Sequence, residues 1–155
     1  MNMLMSGAIL LHLMSALIWV GGMFFAYLCL RPVAASMLTP ELRLPLWSQV
    51  FKRFFPWVWL AIISLPLTGH AMVWMFGGMQ VVDWHIHLMM LSGYAMIAIF
   101  LHVYFAPYKR LNAAVAASDW PAAGSQLNQI RRLIGINLSL GLLTAAVAAF
   151  GRYAY

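Results

Sequence analysis

Long apolar stretches alternate along this chain with short stretches that carry the charge. The first apolar run extends from about Met3 to Leu30 and stops at Arg31-Pro32. The second runs from about Phe55 to Phe76 and ends at Gly77-Gly78. The third runs from about Trp84 to Tyr108 and stops at Lys109-Arg110; the fourth follows Arg131-Arg132 and ends near Arg152. Each is long enough for a helix to cross the roughly 30 Å hydrocarbon core of a bilayer. None holds a Lys, Arg, Asp or Glu in its interior. The pattern predicts an all-α integral membrane protein, a four-transmembrane-helix bundle, with residues 1–155 as a single transmembrane domain.

The connecting segments have patterns of their own. Between spans one and two, Pro32, Pro40 and Pro45 punctuate the chain. Leu46, Trp47, Val50, Phe51 and Phe54 form an apolar stripe beside Lys52 and Arg53, which predicts a short amphipathic helix lying on the membrane surface. The segment from Lys109 to Gln129 reads as helical extensions of spans three and four. Ser118-Asp119-Trp120-Pro121 makes the turn, with Pro121 near the first position of the next helix. Pro66 removes a backbone donor inside span two and predicts a kink just before His70.

Composition rules out a soluble domain. Hydrophobic residues make up 65% of the chain and charged residues 8%, where a soluble domain carries about 25%. The length leaves no room for a soluble catalytic domain, so any chemistry lies among the helices or at their mouths. The net charge of +6 does not point to nucleic acid, because eight of the nine basic residues fall in the two segments after spans one and three. That distribution is an orientation signal, and it also suits anionic lipid. It predicts a bacterial inner membrane protein with both termini in the periplasm. The N-terminus has no basic segment before its apolar run, so the first span reads as retained. The single cysteine, Cys29, excludes an internal disulfide framework and is expected as a buried thiol. Trp47, Trp57, Trp59, Trp74, Trp84, Trp120, Tyr153 and Tyr155 fall near the expected interfaces as an aromatic belt.

Orientation places the histidines by depth. His12, His70, His85 and His87 fall in the outer half of the bundle, and His102 near the other end. His12, Ala16, Trp19 and Met23 share one face of span one, extended outward by Met5. Polar side chains at such depth face a bundle interior, and imidazoles on facing helices hold metals or haem. Imidazole with thioether sulfur suits copper, above all Cu(I); two imidazoles alone suit haem iron. Eight of the twelve methionines lie at the histidine end, among them Met5, Met72, Met75 and Met90. Met72 and Met75 point away from His70 on a regular helix. The expected metal or haem ligands are therefore His12, His70 and His87. His85, Met5, Met72, Met75 and Met90 stand as secondary candidates, and Trp19 as a cofactor contact. His102 is expected as a hydrogen-bonding core residue and His85 equally as an interfacial anchor. Gly135 and Ser139 form a small-xxx-small step on span four, and Asn137 between them needs a polar partner.

The residues resemble a known family. Leu11-His12, Trp19-Val20-Gly21-Gly22 and Arg31-Pro32 are similar to the first span of proteins with the copper resistance protein D (CopD) domain. Phe54-Phe55-Pro56-Trp57, Gly69 and Gly151-Arg152-Tyr153 fit its small stand-alone members. The resemblance implies copper passage across the bacterial inner membrane and copper resistance, with His12 as a functional residue. A second resemblance is to the HemJ-type protoporphyrinogen oxidases, four-helix proteins that bind haem b and share the opening Leu-His, Trp and Gly. Their third span opens His-x-Lys-Leu where this chain has His85-Ile86-His87-Leu88, a departure that bears on that activity and leaves haem ligation open.

Two readings follow. The first is a copper-binding or transport protein, not an enzyme, taking a copper ion from the periplasm or from a periplasmic copper-binding protein. The second is a haem b protein, either a bis-histidine electron carrier or a haem-dependent oxidoreductase linked to quinone. Either works within the lipid bilayer, without nucleic acid, and a homo-oligomer is open to both.

Overall fold

A computed structural model describes residues 3–151; Arg152, Tyr153 and Tyr155, each given a role above, lie outside the described residues. Four helical rods are long and apolar enough to cross a membrane: Met3–Met37, Pro40–Met75, Trp84–Ala116 and Trp120–Gly151. Among the described residues there is no strand.

The first rod is α1 (Met3–Phe24), a π-helical segment (Phe25–Leu30) and α2 (Arg31–Met37), running without a break. It therefore passes through Arg31-Pro32 instead of stopping there. Pro32, in the first turn of α2, removes one donor from the continuous rod. The wide turn lies directly before it, and the Arg31 N–H reaches back five residues to the Ala26 carbonyl. Cys29 lies on this segment and is exposed on the outside of the bundle, not buried. A thiol is apolar enough to face lipid.

The second rod is one helix, α3 (Pro40–Met75), which keeps its course through Pro45, Pro56 and Pro66. The stripe expected on the membrane surface is the first part of this helix, with Trp47 and Phe51 buried and Val50 and Phe54 partly buried against the core. Leu44, Trp47, Phe51, Phe55, Val58 and Ile62 are all core residues. Their spacing of three or four keeps one apolar face in phase from the segment into the span, so both pack as a single helix. Trp47 is 3% exposed and belongs to the core, not to an interfacial belt.

The third rod is α4 (Trp84–Phe105) and α5 (Pro107–Ala116), bent at Ala106, where φ is −113° and ψ −86°. A residue before proline is pushed out of the α region, which accounts for the bend. The fourth is α6 (Trp120–Gly151). Asp119 caps it by accepting from the Ala122 N–H at 3.1 Å, and Ser118 turns the chain at φ 55°. Gly77 and Gly78, at φ 108° and 99°, turn the chain between α3 and α4 in the left-handed region that glycine tolerates.

α1 packs chiefly on α3, and α6 on α4 and α5. The seams differ in kind. Gly22 faces the Phe54 ring across the α1–α3 seam, with no room for a Cβ. Gly141 brings α6 close to Val20 of α1 and Met96 of α4. The seam of α3 with α4 and α5 is filled by rings: Phe55 meets Phe100 at 5.3 Å and Tyr108 of α5 at 4.8 Å, and Trp59 meets Tyr104 at 5.3 Å. Large rings hold these backbones apart, whereas small residues let the others close.

Candidate functional site

A run of polar contacts joins α1 to α3. Thr68 follows Ser64 by one helical turn, and its hydroxyl donates to the Ser64 carbonyl at 2.6 Å. Its oxygen is then left to accept, and His12 Nδ1 stands 2.8 Å away. The network assigns the proton to Nδ1 and leaves a lone pair on Nε2. One turn deeper the Ser15 and Ser64 hydroxyls meet at 2.6 Å. Gly69 lies beside the ring, where even a Cβ would make only an ordinary contact, 3.5 Å from His12 Cε1. The His12 ring is thus held by Thr68 on one side and faced by bare backbone on another.

His70 faces elsewhere. Its Nδ1–H donates to the Pro66 carbonyl at 2.8 Å, the ordinary fourth-residue carbonyl of its own helix. Its Nε2 is 3.3 Å from the Tyr94 hydroxyl on α4, which donates to it. His87 opens α4, with Nδ1 donating to the Asp83 carbonyl at 3.2 Å. All three imidazoles therefore carry their proton on Nδ1 and turn Nε2 outward from their own helices, the arrangement that prepares histidine for a metal or a proton donor.

These histidines do not converge on one point. Among the described residues, no three of His, Cys, Asp and Glu gather closely enough to hold a metal ion. They sort onto two seams. On the α1–α3 seam, Met72 lies one turn outward from Thr68 and Gly69, and Met5 lies two turns outward from His12 on the same face of α1. By helical spacing Met72 falls on the Thr68 side of α3, which His12 faces. At this end an open groove lined by Leu4, Ala8, Ala71, Trp74 and Met75 separates α1 from α3. On the α3–α4 seam, His87, Met90 and Tyr94 share a face of α4, opposite His70. A haem held by two imidazoles needs them face to face across a gap. His12 and His70 stand on different flanks of α3, and His87 is about 10 Å further out than Tyr94 along α4.

The remaining candidates take structural places. His85 packs against Gly151, where a Cβ would stand 2.6 Å from its Cγ. His102 is exposed on the outside of α4, so it is not the hydrogen-bonded core residue expected. Trp19 is 2% exposed and meets Phe100 edge-on at 6.3 Å. With Met23 and Asn137 it lines an internal cavity of about 20 Å³. Asn137 finds its partner in the Met96 carbonyl, to which Nδ2 donates at 3.3 Å. Gly135 takes the Tyr27 ring, while Ser139 stays exposed and bonds back to the Gly135 carbonyl at 3.0 Å.

Sequence reasoning missed Thr68, Ser64, Ser15 and Tyr94. The hydroxyl spacing carried a signal: Ser64 and Thr68 lie one turn apart, and Ser15 lies one turn from His12.

The family model for copper resistance protein D (CopD) matches residues 48–150. This chain belongs to the CopD family. No curated protein and no solved structure matches it. The match takes in most of α3 and all of α4 and α5, and nearly all of α6. It begins after α1, so His12 is read from its geometry and from the resemblance of its span. As a CopD-family chain with four apolar helices, this is a multi-pass membrane protein related to copper resistance.

Proposed function

We propose that this CopD-family chain is a copper-binding or transport protein of the bacterial inner membrane, with copper as its cargo and no enzymatic step. The His12–Thr68 hydrogen bond carries this reading. It holds a proton on Nδ1, so that the neutral ring presents its lone pair from Nε2, beside the turn of α3 that bears Met72. A neutral imidazole with thioethers is a soft donor set that suits Cu(I) and needs no deprotonation to bind it. His12, Met5, Met72 and Met75 form a first station on the α1–α3 seam. His87 and Met90 form a second on the α3–α4 seam, outward of the His70–Tyr94 pair. The basic end faces the cytoplasm by the positive-inside rule, which turns both stations toward the periplasm and toward any copper-binding protein there.

Cu(I) titration of the detergent-solubilised protein, under reducing conditions and against a chromophoric competitor, tests the reading. Wild type binds, His12→Ala weakens binding about tenfold or more, and His102→Ala leaves it unchanged. Equal binding by wild type and His12→Ala sinks the reading, as does a Soret band in the visible spectrum of the protein as purified.

A further inference from the structure

Three arginines from three helices meet at the basic end of the bundle. The Arg31 guanidinium lies over the Tyr27 ring, 4.9 Å from its centroid. Tyr27 packs on α6 at Gly135, where a Cβ would stand 3.1 Å from the phenol oxygen. Arg31 is one turn inward of Tyr27 and Arg131 one turn inward of Gly135, so the two guanidiniums reach the same level. Arg131 lies over the Trp47 ring at 5.8 Å, and Arg43 is one turn inward of Trp47 on α3. Arg43 Nη1 donates to the Ala35 carbonyl of α2 at 3.4 Å. The charges of Arg31 and Arg43 both bear on Arg131.

No carboxylate of the described chain answers this cluster. Asp83 sits at the opposite end of the bundle, and Asp119 caps α6. Glu41 is fully exposed and takes its hydrogen bonds from its own backbone and Thr39. Meanwhile Arg131 Nε and Nη2 and Arg43 Nε are shut off from solvent without a hydrogen-bond partner. Arg131 has one weak acceptor, Asn128 Oδ1 at 3.5 Å. Buried guanidinium N–H groups without acceptors, beside two like charges, are costly. An oxyanion answers both demands, because its oxygens accept from the planar fork and its charge offsets three cations.

We propose that Arg31, Arg43 and Arg131 form a binding site for a phosphate group, carried either by an anionic phospholipid headgroup or by free phosphate. The site is independent of the copper reading. The full chain in neutral detergent tests it with two probes. Native mass spectrometry compares retention of phosphatidylglycerol with phosphatidylcholine. Thermal unfolding compares inorganic phosphate with chloride at equal ionic strength. Preferential phosphatidylglycerol retention assigns the site to lipid; a higher midpoint in phosphate assigns it to the free anion. Arg43→Gln and Arg131→Gln each weaken the responding probe about tenfold, the effect of losing one charge-assisted hydrogen bond. Arg53→Gln, an exposed cation at the same end, leaves it unchanged. Should Arg131→Gln fail to fold, Arg31→Gln at its half-exposed position replaces it. The proposal is overturned if neither probe binds, or if Arg53→Gln costs as much as the others.

Discussion

A single hydroxyl decides which nitrogen His12 presents. Thr68→Val keeps the shape of the side chain and removes the acceptor, so the ring loses its fixed tautomer. Cu(I) affinity is expected to fall about tenfold, the usual effect of removing a partner behind a metal-bound histidine. Gly69→Ala is the matched control. Its Cβ would stand 3.5 Å from His12 Cε1, an ordinary contact, so the same titration should find wild-type affinity. His12 itself was legible in the sequence, because a histidine deep in an apolar run needs a partner. Thr68 was not, because which face of one helix meets which face of another is a tertiary property. The depth of His70 and His87 was legible in the same way, but not their separation from His12. Cys29 and His102 were misplaced for the same reason, since depth along a span does not give its outward face.

Helix seams are set by side-chain size. Gly22 lets α1 close onto Phe54, and Gly22→Ala forces that ring to move. The expected loss is about 1–3 kcal/mol of stability, read as a lower unfolding midpoint in detergent. Phe54→Leu in the same chain should restore part of it, because the smaller side chain vacates the space. The start of α3 shows where reading elements from sequence fell short. An apolar stripe at helical spacing describes a surface helix and a buried one equally well. What separates them is phase: Trp47, Phe51, Phe55 and Val58 continue one line into the span. Pro45 looked like punctuation, yet it removes a single donor and leaves the rest of the ladder intact. The turn at Ser118 to Pro121 was legible because Asp and Pro have local roles at a helix start, independent of packing.

The whole molecule has a basic end and a histidine end, and the four crossings that separate them were legible from hydropathy alone. The order of helices around the bundle was not, since hydropathy says nothing of neighbours. Orientation in the membrane is open to direct measurement. In a Cys29→Ser background, a membrane-impermeant maleimide applied to intact cells should label Gln80→Cys, in the turn at the histidine end. It should leave Ala117→Cys, at the basic end, unlabelled. The reverse pattern would put the histidines in the cytoplasm and remove the periplasmic entry of copper. The first crossing also holds the two ends in a fixed rotational relation through the wide turn at Phe25–Leu30. Such a turn stores one residue more than a regular turn needs. Loss of one residue there would leave a regular turn, and the crossing would still aim His12 at α3 and Arg31 at α6.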